Sequence, residues 1–436
     1  SIILWSVVNA DSQGKDAGCP FYGCPVLPRD IAFDEAANEL LTHLETETEP
    51  ADHNELWDAW KEQQQGATLT LIGFKGGSPD QQINQDRSFL IHPFQIVSPN
   101  NEIDETFHQA KLLGVFDGHG WEGEVVSQIA LTDVPQIISH NLFAALQKHR
   151  QQKPQQDGDN PASSMLDDDS LDEIVKKVLV DAFVEVDQVN IPRDQSGGCT
   201  ASVVLQLDGR VYVANAGDSQ SILVTYRPSD GSIHVPFVTR EDKPHLEDES
   251  ERIRERGGIV TLPDDEDDTS RVWDPEEQMG LAMSRSLGDH THTPLGVIPH
   301  PLVDAFHLSE IKAQHSQAHP KKQAENISQN NCKNDDEDDK IGGECNVDEH
   351  DEVQVFAISA TDGLMDYWDP LELATAIGKS TIVDSSDTYS QGSQQKKQHL
   401  LLACKDVIFT AAQGWLEEME GQYRDDIAIV ACRLSP

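Results

Sequence analysis

Three apolar runs in this chain have an aspartate at one tip: LLGVFDG at 112–118, VFAISATDG at 355–363 and RDDIAIVACRL at 424–434. Each is a short stretch of β-branched, aromatic and small apolar side chains, which reads as a buried strand. Asp117 and Asp362 follow their strands, whereas Asp425 precedes its strand. In an antiparallel sheet the exit of one strand lies beside the entrance of its neighbour, so the pattern predicts that all three carboxylates meet at a single rim. Three such groups cannot stay ionised together without a cation, because like charges push one another's pKa upward. With oxygen donors and no cysteine or histidine cluster, the expected ion is magnesium or manganese. Glycine directly after Asp117 and Asp362 lets carbonyls and bound water approach closely.

The rest of the chain supplies a frame for that rim. In TASVVLQLDGRVYVANAGDSQSILVTY (200–226), two apolar runs flank Asp208-Gly209. That dipeptide suits a two-residue hairpin turn because both central positions favour positive φ, so 203–207 and 211–215 are expected to pair antiparallel. In 170–189, Leu171, Ile174, Val175, Val178, Leu179 and Phe183 recur at helical spacing and predict an amphipathic helix. Residues 33–65 read as one or two helices, giving an N-terminal extension over 1–65 and a main domain over 66–436. Polar, apolar-poor stretches near 150–169, 311–352 and 383–398 read as disordered insertions; the middle one holds ten acidic residues between Asp335 and Glu352 and is expected to be a solvated segment.

The chain has 436 residues, and 77 Asp and Glu against 32 Lys and Arg give a net charge of −45. Such a field repels a phosphate backbone, so nucleic acid is not an expected partner. No stretch approaches the roughly 20 apolar residues of a membrane-spanning helix. The seven scattered cysteines show no zinc spacing, and most are expected to be reduced core residues; Cys19 and Cys24 would form a small disulfide loop if the chain is exported. The initial IILWSVV run reads either as a plain apolar segment or as a signal-peptide remnant, leaving the compartment open between the cytoplasm, which is favoured, and the secretory pathway. DDEDDTSRVWDPEE (264–277) lacks the glycine of a calcium hand. His290 and His292 lack a third metal ligand and are expected in a surface loop. No phosphate-loop pattern and no nucleophile-elbow serine is present.

Eight segments stand in an order that resembles the metal-dependent protein serine/threonine phosphatases of type 2C (PPM): NQDR (84–87), GVFDGHGW (114–121), SGGCTASVV (196–204), VANAGDSQSIL (213–223), RIRERGGIV (252–260), LAMSRSLGD (281–289), ATDGLMD (360–366) and RDDIAIV (424–430). The resemblance implies an α+β fold, a four-layer αββα sandwich with two antiparallel sheets flanked by helices. It also implies hydrolysis of phosphoserine and phosphothreonine on protein substrates by a metal-bridged water at two magnesium or manganese ions, in a monomer. Carried over position by position, Asp117 with the Gly118 carbonyl bridges the ions, Asp362 and Asp425 are direct ligands, Asp86 orients bound water, and Asp218 serves a weaker third ion. His119 is placed to protonate the departing oxygen, a role suited to an imidazole titrating near neutrality. Asp289 reads as structural.

Four places depart from the family pattern, one of them Gln85, which stands where many relatives have a glutamate. Gln81 stands where relatives often have a phosphate-holding arginine, with Lys75 and Arg87 as candidate substitutes. Gln220 replaces a common arginine, and Asp425-Asp426 replaces the commoner Asp-Asn. The alternative reading is a phosphatase-like regulatory or scaffold domain whose acidic insertions dock partners.

Overall fold

A computed structural model describes residues 65–78, 81–152, 167–262, 269–273, 280–319, 352–380 and 400–434. The expected helices at 33–65, the Cys19–Cys24 loop and most of the acidic insertion lie outside these residues. Ten strands form two five-stranded antiparallel sheets. They are β1 (Gly66–Leu71), β2 (Arg87–Ile91), β3 (Ala110–Phe116), β4 (Ala201–Leu207), β5 (Arg210–Ala216), β6 (Gln220–Arg227), β7 (Ser232–Val238), β8 (Leu302–His307), β9 (Gln354–Ala360) and β10 (Ile427–Leu434). One sheet runs β1-β10-β9-β6-β7 and the other β8-β5-β4-β3-β2.

The strands read as unbroken apolar runs because both faces of each sheet are covered. In β3, Leu113 and Val115 enter a core shared with Ala357 of β9 and Val430 of β10, whereas Leu112 and Phe116 enter a second core on the opposite face. Alternation survives as a choice of destination: Phe356 and Ile358 face outward, Val355 and Ala357 inward. Helices α1 (Gly123–Gln152) and α2 (Asp168–Glu185) cover the β3 sheet. Of the other helices, α3 (Glu247–Glu255), α4 (Leu308–Ala318), α5 (Asp362–Met365), α6 (Pro370–Ser380) and α7 (Leu400–Glu418), α6 and α7 cover the β9 sheet. The result is the four-layer αββα sandwich. In α1 the residues Val126, Ala130, Val134, Ile138, Leu142 and Leu146, spaced by four, are all buried, and each large one contributes roughly 1.5–3 kcal/mol through burial.

Several expectations change in detail. The 208–209 hairpin forms with Leu207 opposite Arg210, but of its two turn residues only Asp208, at φ +47°, is left-handed. Helix α2 ends at Glu185 and continues as a π-helical turn over Val186–Asn190. The ends of the stretches 150–169 and 311–352 that the structure describes are partly helical. Gln152 still belongs to α1, Asp167 caps α2 by accepting from the Ser170 N–H at 2.9 Å, and α4 reaches Ala318 because Leu308 and Ile311 are buried against the sheets. Cys199, Cys404 and Cys432 are buried free thiols. His292 is buried and the His290 side chain packs beside Asp187 at 3.8 Å, so neither is a surface-loop residue.

Candidate active site

The three carboxylates do not share one sheet. β9 and β10 are antiparallel neighbours, with Ala360 opposite Ile429, and bring Asp362 and Asp425 together; β3, which leads into Asp117, lies in the facing sheet. The rim therefore spans the sandwich. Arg87 pairs with Phe116, so Asp86 precedes β2 where Asp117 follows β3. Asp218 sits on the crossing from β5 to β6, which passes from one sheet to the other.

Electrostatics define the centre. Burial, together with the charges of Asp86, Asp362 and Asp425, pushes the Asp117 carboxyl well above the usual range. Asp362 is pushed up to about 7 by burial and by Asp218 and Asp425. Asp86 is likewise raised by burial and by Asp426 and Asp425; its Oδ2 accepts the Thr361 hydroxyl at 2.7 Å while its buried Oδ1 has no partner. Asp218 Oδ1 is also buried without one. An all-oxygen, buried, mutually repelling set with orphan acceptors fits hard divalent cations.

Among the described residues, no three His, Cys, Asp or Glu side chains stand in a metal-holding geometry. Asp425 Oδ1 accepts from Lys75 Nζ at 2.8 Å and its Oδ2 from the Tyr423 hydroxyl at 2.9 Å, while Asp218 Oδ2 accepts from Lys243 Nζ at 2.7 Å. Asp425 and Asp218 thus already have protein donors on these oxygens.

The crowded turn after β3 shows why glycine is needed there. A Cβ on Gly118 would fall 2.5 Å from the carbonyl oxygens of both Gln85 and Gly123, so only hydrogen fits between the β2 approach and the start of α1. Gly118 and His119 pair with Cys199 and Gly198, which pair in turn with Leu287 and Gly288. This small ladder sets His119 beside Asp289, with His119 Nε2 2.7 Å from Asp289 Oδ2. Burial opposes the imidazolium, but the Asp289 charge and hydrogen bond outweigh it and the His119 pKa is raised. Its Nδ1 is buried without a partner. Asp289 is thus tied to His119 directly, a link that residue type and motif order do not reveal.

The candidate phosphate clamps fare differently from expectation. Arg87 Nη1 donates to the carbonyls of Asn84 and Asp86, both at 2.8 Å, and its Nε to Gln128 Oε1 at 3.0 Å, so it braces the loop. Lys75 is engaged with Asp425 and, at 3.4 Å, with Asp426. Gln81 is exposed. Asp426 ties two loops together, accepting the Gly73 N–H at 2.6 Å and the Gln85 N–H at 3.0 Å. Sequence reasoning missed Lys243 and also Asp366, whose carboxyl is pushed up to about 6 by burial and, against the pull of Lys243, by Asp218.

An αββα sandwich whose carboxylates converge across its two sheets belongs with the type 2C class of phosphatases. The family model described as Protein phosphatase 2C matches residues 93–399, so Asp86 and Asp425 lie just outside the matched span. The chain belongs to the protein phosphatase 2C family. It is 27% identical over 401 residues to probable protein phosphatase 2C 73 of Oryza sativa subsp. japonica, covering 88% of this chain and 74% of that protein. It is 31% identical over 323 residues to probable protein phosphatase 2C 34 of Arabidopsis thaliana, covering 73% and 70% respectively. A serine-threonine phosphatase 2C from Toxoplasma gondii shares the fold at a TM-score of 0.52 and 17% identity, over 85% of this chain and 94% of that one. Among the described residues no helix is long and apolar enough to cross a membrane.

Proposed function

We propose that residues 66–436 form a catalytic domain that hydrolyses phosphoserine and phosphothreonine on proteins as a monomer. Asp117, the Gly118 carbonyl, Asp362 and Asp425 would hold two magnesium or manganese ions, with Asp86 orienting water and Asp218 available to a third ion. When bound, such ions neutralise phosphoryl oxygens and acidify water for in-line attack. The chain's own contribution is a proton. With Nε2 committed to Asp289, the buried and unpartnered Nδ1 of His119 is the atom that would carry a proton toward the leaving oxygen.

The observation that supports this most is the burial of Asp86, Asp117 and Asp362 in one place, where burial and neighbouring carboxylates, Asp425 among them in every case, raise all three pKa values. A structural role alone does not account for accumulating such repulsion. The test is hydrolysis of a phosphothreonine peptide and of an aryl phosphate with manganese, magnesium or chelator, using Asp362→Ala as control. Metal-dependent release of phosphate, abolished by the substitution, supports the enzyme. The scaffold reading draws on the lysines that occupy Asp425 and Asp218, and absence of turnover under every metal would favour it.

A further inference from the structure

The Lys75 ammonium is the nearest cation to Asp425, and its place is built into the backbone. Phe74 and Arg424 form an isolated antiparallel bridge, with Phe74 N–H to Arg424 O at 2.7 Å and Arg424 N–H to Phe74 O at 2.8 Å. The Lys75 N–H donates to Gln82 Oε1 at 2.8 Å, so the segment carrying the lysine is fixed against the segment carrying Asp425. From there Nζ reaches Asp425 Oδ1 at 2.8 Å, Asp426 Oδ2 at 3.4 Å and Gln85 Oε1 at 3.5 Å. Asp425 is satisfied at both oxygens: Oδ1 also accepts the Asp426 N–H at 2.8 Å, and Oδ2 takes the Tyr423 hydroxyl. This contrasts with Asp86 and Asp218, each of which keeps one buried oxygen without a partner.

We infer that Lys75 is a resident counter-cation of the carboxylate centre, which a divalent ion must displace from Asp425, so that Lys75 sets the metal affinity of the site. This rests on the reading of Asp425 as a metal ligand. The two cations compete for the same oxygens and repel one another at close range. Removing the ammonium takes the counter-charge from Asp425 and Asp426 and leaves their oxygens to an incoming ion. A lysine is suited to this exchange, because a point charge on a flexible stem withdraws more readily than a bidentate guanidinium. The side chain is one-third exposed and has solvent to withdraw into.

The experiment is a manganese titration of the whole chain at one pH and ionic strength, read by the EPR signal of free manganese. Lys75→Gln is expected to tighten binding about tenfold, as for a partly buried charge pair. Lys177→Gln, which removes an exposed ammonium paired with Asp181 on α2, measures the general effect of one lost charge and is expected to change affinity less than about twofold. Lys75→Arg keeps the charge and is expected to bind manganese no more tightly than the unaltered protein; it also serves if Lys75→Gln fails to fold by circular dichroism. Unchanged or weaker binding in Lys75→Gln, or binding in Lys75→Arg as tight as expected for the glutamine variant, overturns the inference alone. No manganese uptake by the unaltered protein overturns the reading of the centre and this inference with it.

Discussion

His119 Nε2 and Asp289 Oδ2 are 2.7 Å apart across Gly198, where a Cβ would lie only 2.2 Å from that same carboxylate oxygen. The glycine leaves room for the pair, and the Ser286 hydroxyl, 2.6 Å from Asp289 Oδ2, holds the carboxylate in place. Because Asp289 raises the His119 pKa, the protonated imidazole persists to higher pH than it otherwise would. Asp289→Asn is therefore expected to move the alkaline limb of the pH–rate profile to lower pH and to cut turnover of a phosphopeptide roughly 10- to 100-fold. A profile identical to that of the unaltered protein would separate Asp289 from His119 chemistry.

The leaving group offers a second probe of the same histidine. A serine alkoxide is a poor leaving group and needs a proton as it departs, whereas an activated aryl oxide does not. His119→Ala is expected to lose on the order of 10²–10⁴ in rate on a phosphoserine peptide and little on an aryl phosphate. Steady-state rates on both substrates at saturating manganese decide the matter, since equal losses would remove His119 from the general-acid role.

What was legible in the sequence was whatever local pattern dictates. The β3, β9 and β10 runs, the 208–209 hairpin and the α2 stripe all follow from burial periodicity and turn chemistry, and the aspartates at strand tips mark the centre. Relations across the sandwich were not legible. Nothing in LLGVFDG says that Asp117 reaches Asp362 from the opposite sheet, because sheet membership depends on pairings remote in sequence. Lys75 reads as an anion clamp until the Phe74–Arg424 bridge turns it toward Asp425, and Asp289 reads as structural until the ladder through Gly198 brings it to His119. α4 was hidden because Leu308 and Ile311 are few among polar neighbours, although both are buried.

Repulsion in the metal-free centre sets the sign of a stability measurement. Asp362 is pushed up to about 7, and Asp117 and Asp86 are also raised. The folded state therefore holds protons that the unfolded chain has released above about pH 4. Linkage then makes stability fall as pH rises through this window, with the loss complete above the folded pKa. In chelator, the melting temperature is expected to drop between pH 5 and pH 8, and Asp362→Asn to flatten part of that slope and to raise the pH 8 midpoint by a few degrees. Manganese is expected to reverse the trend, because ionised carboxylates then have a partner. A chelator-treated protein that gains stability toward pH 8 would contradict the arrangement.

Glu249 gives the opposite sign. It is fully buried on α3; its Oε1 accepts from Arg240 Nη2 at 2.8 Å and from Arg285 Nη2 at 2.6 Å, and its Oε2 from the Ser284 hydroxyl at 2.5 Å and from Arg252. Burial alone would raise its pKa, but the hydrogen bonds from Arg252, Arg285 and Ser284 hold it far below the usual carboxylate range. Its stabilisation is therefore complete above the unfolded value near pH 4.3 and is lost as pH falls toward the folded one. Glu249→Gln keeps the shape and removes the charge, leaving guanidinium groups short of a counter-ion, and is expected to cost roughly 3–5 kcal/mol in urea unfolding at pH 7. The same substitution should shrink the gap between pH 7 and pH 3, since the group that protonates is gone. Ser284 and Arg285 begin the segment that ends at Asp289, so the variant is also expected to slow phosphopeptide turnover at temperatures where it stays folded. A variant as stable as the parent at pH 7 would mean that the arginines find solvent or other acids at no cost, and that the network does not hold this segment.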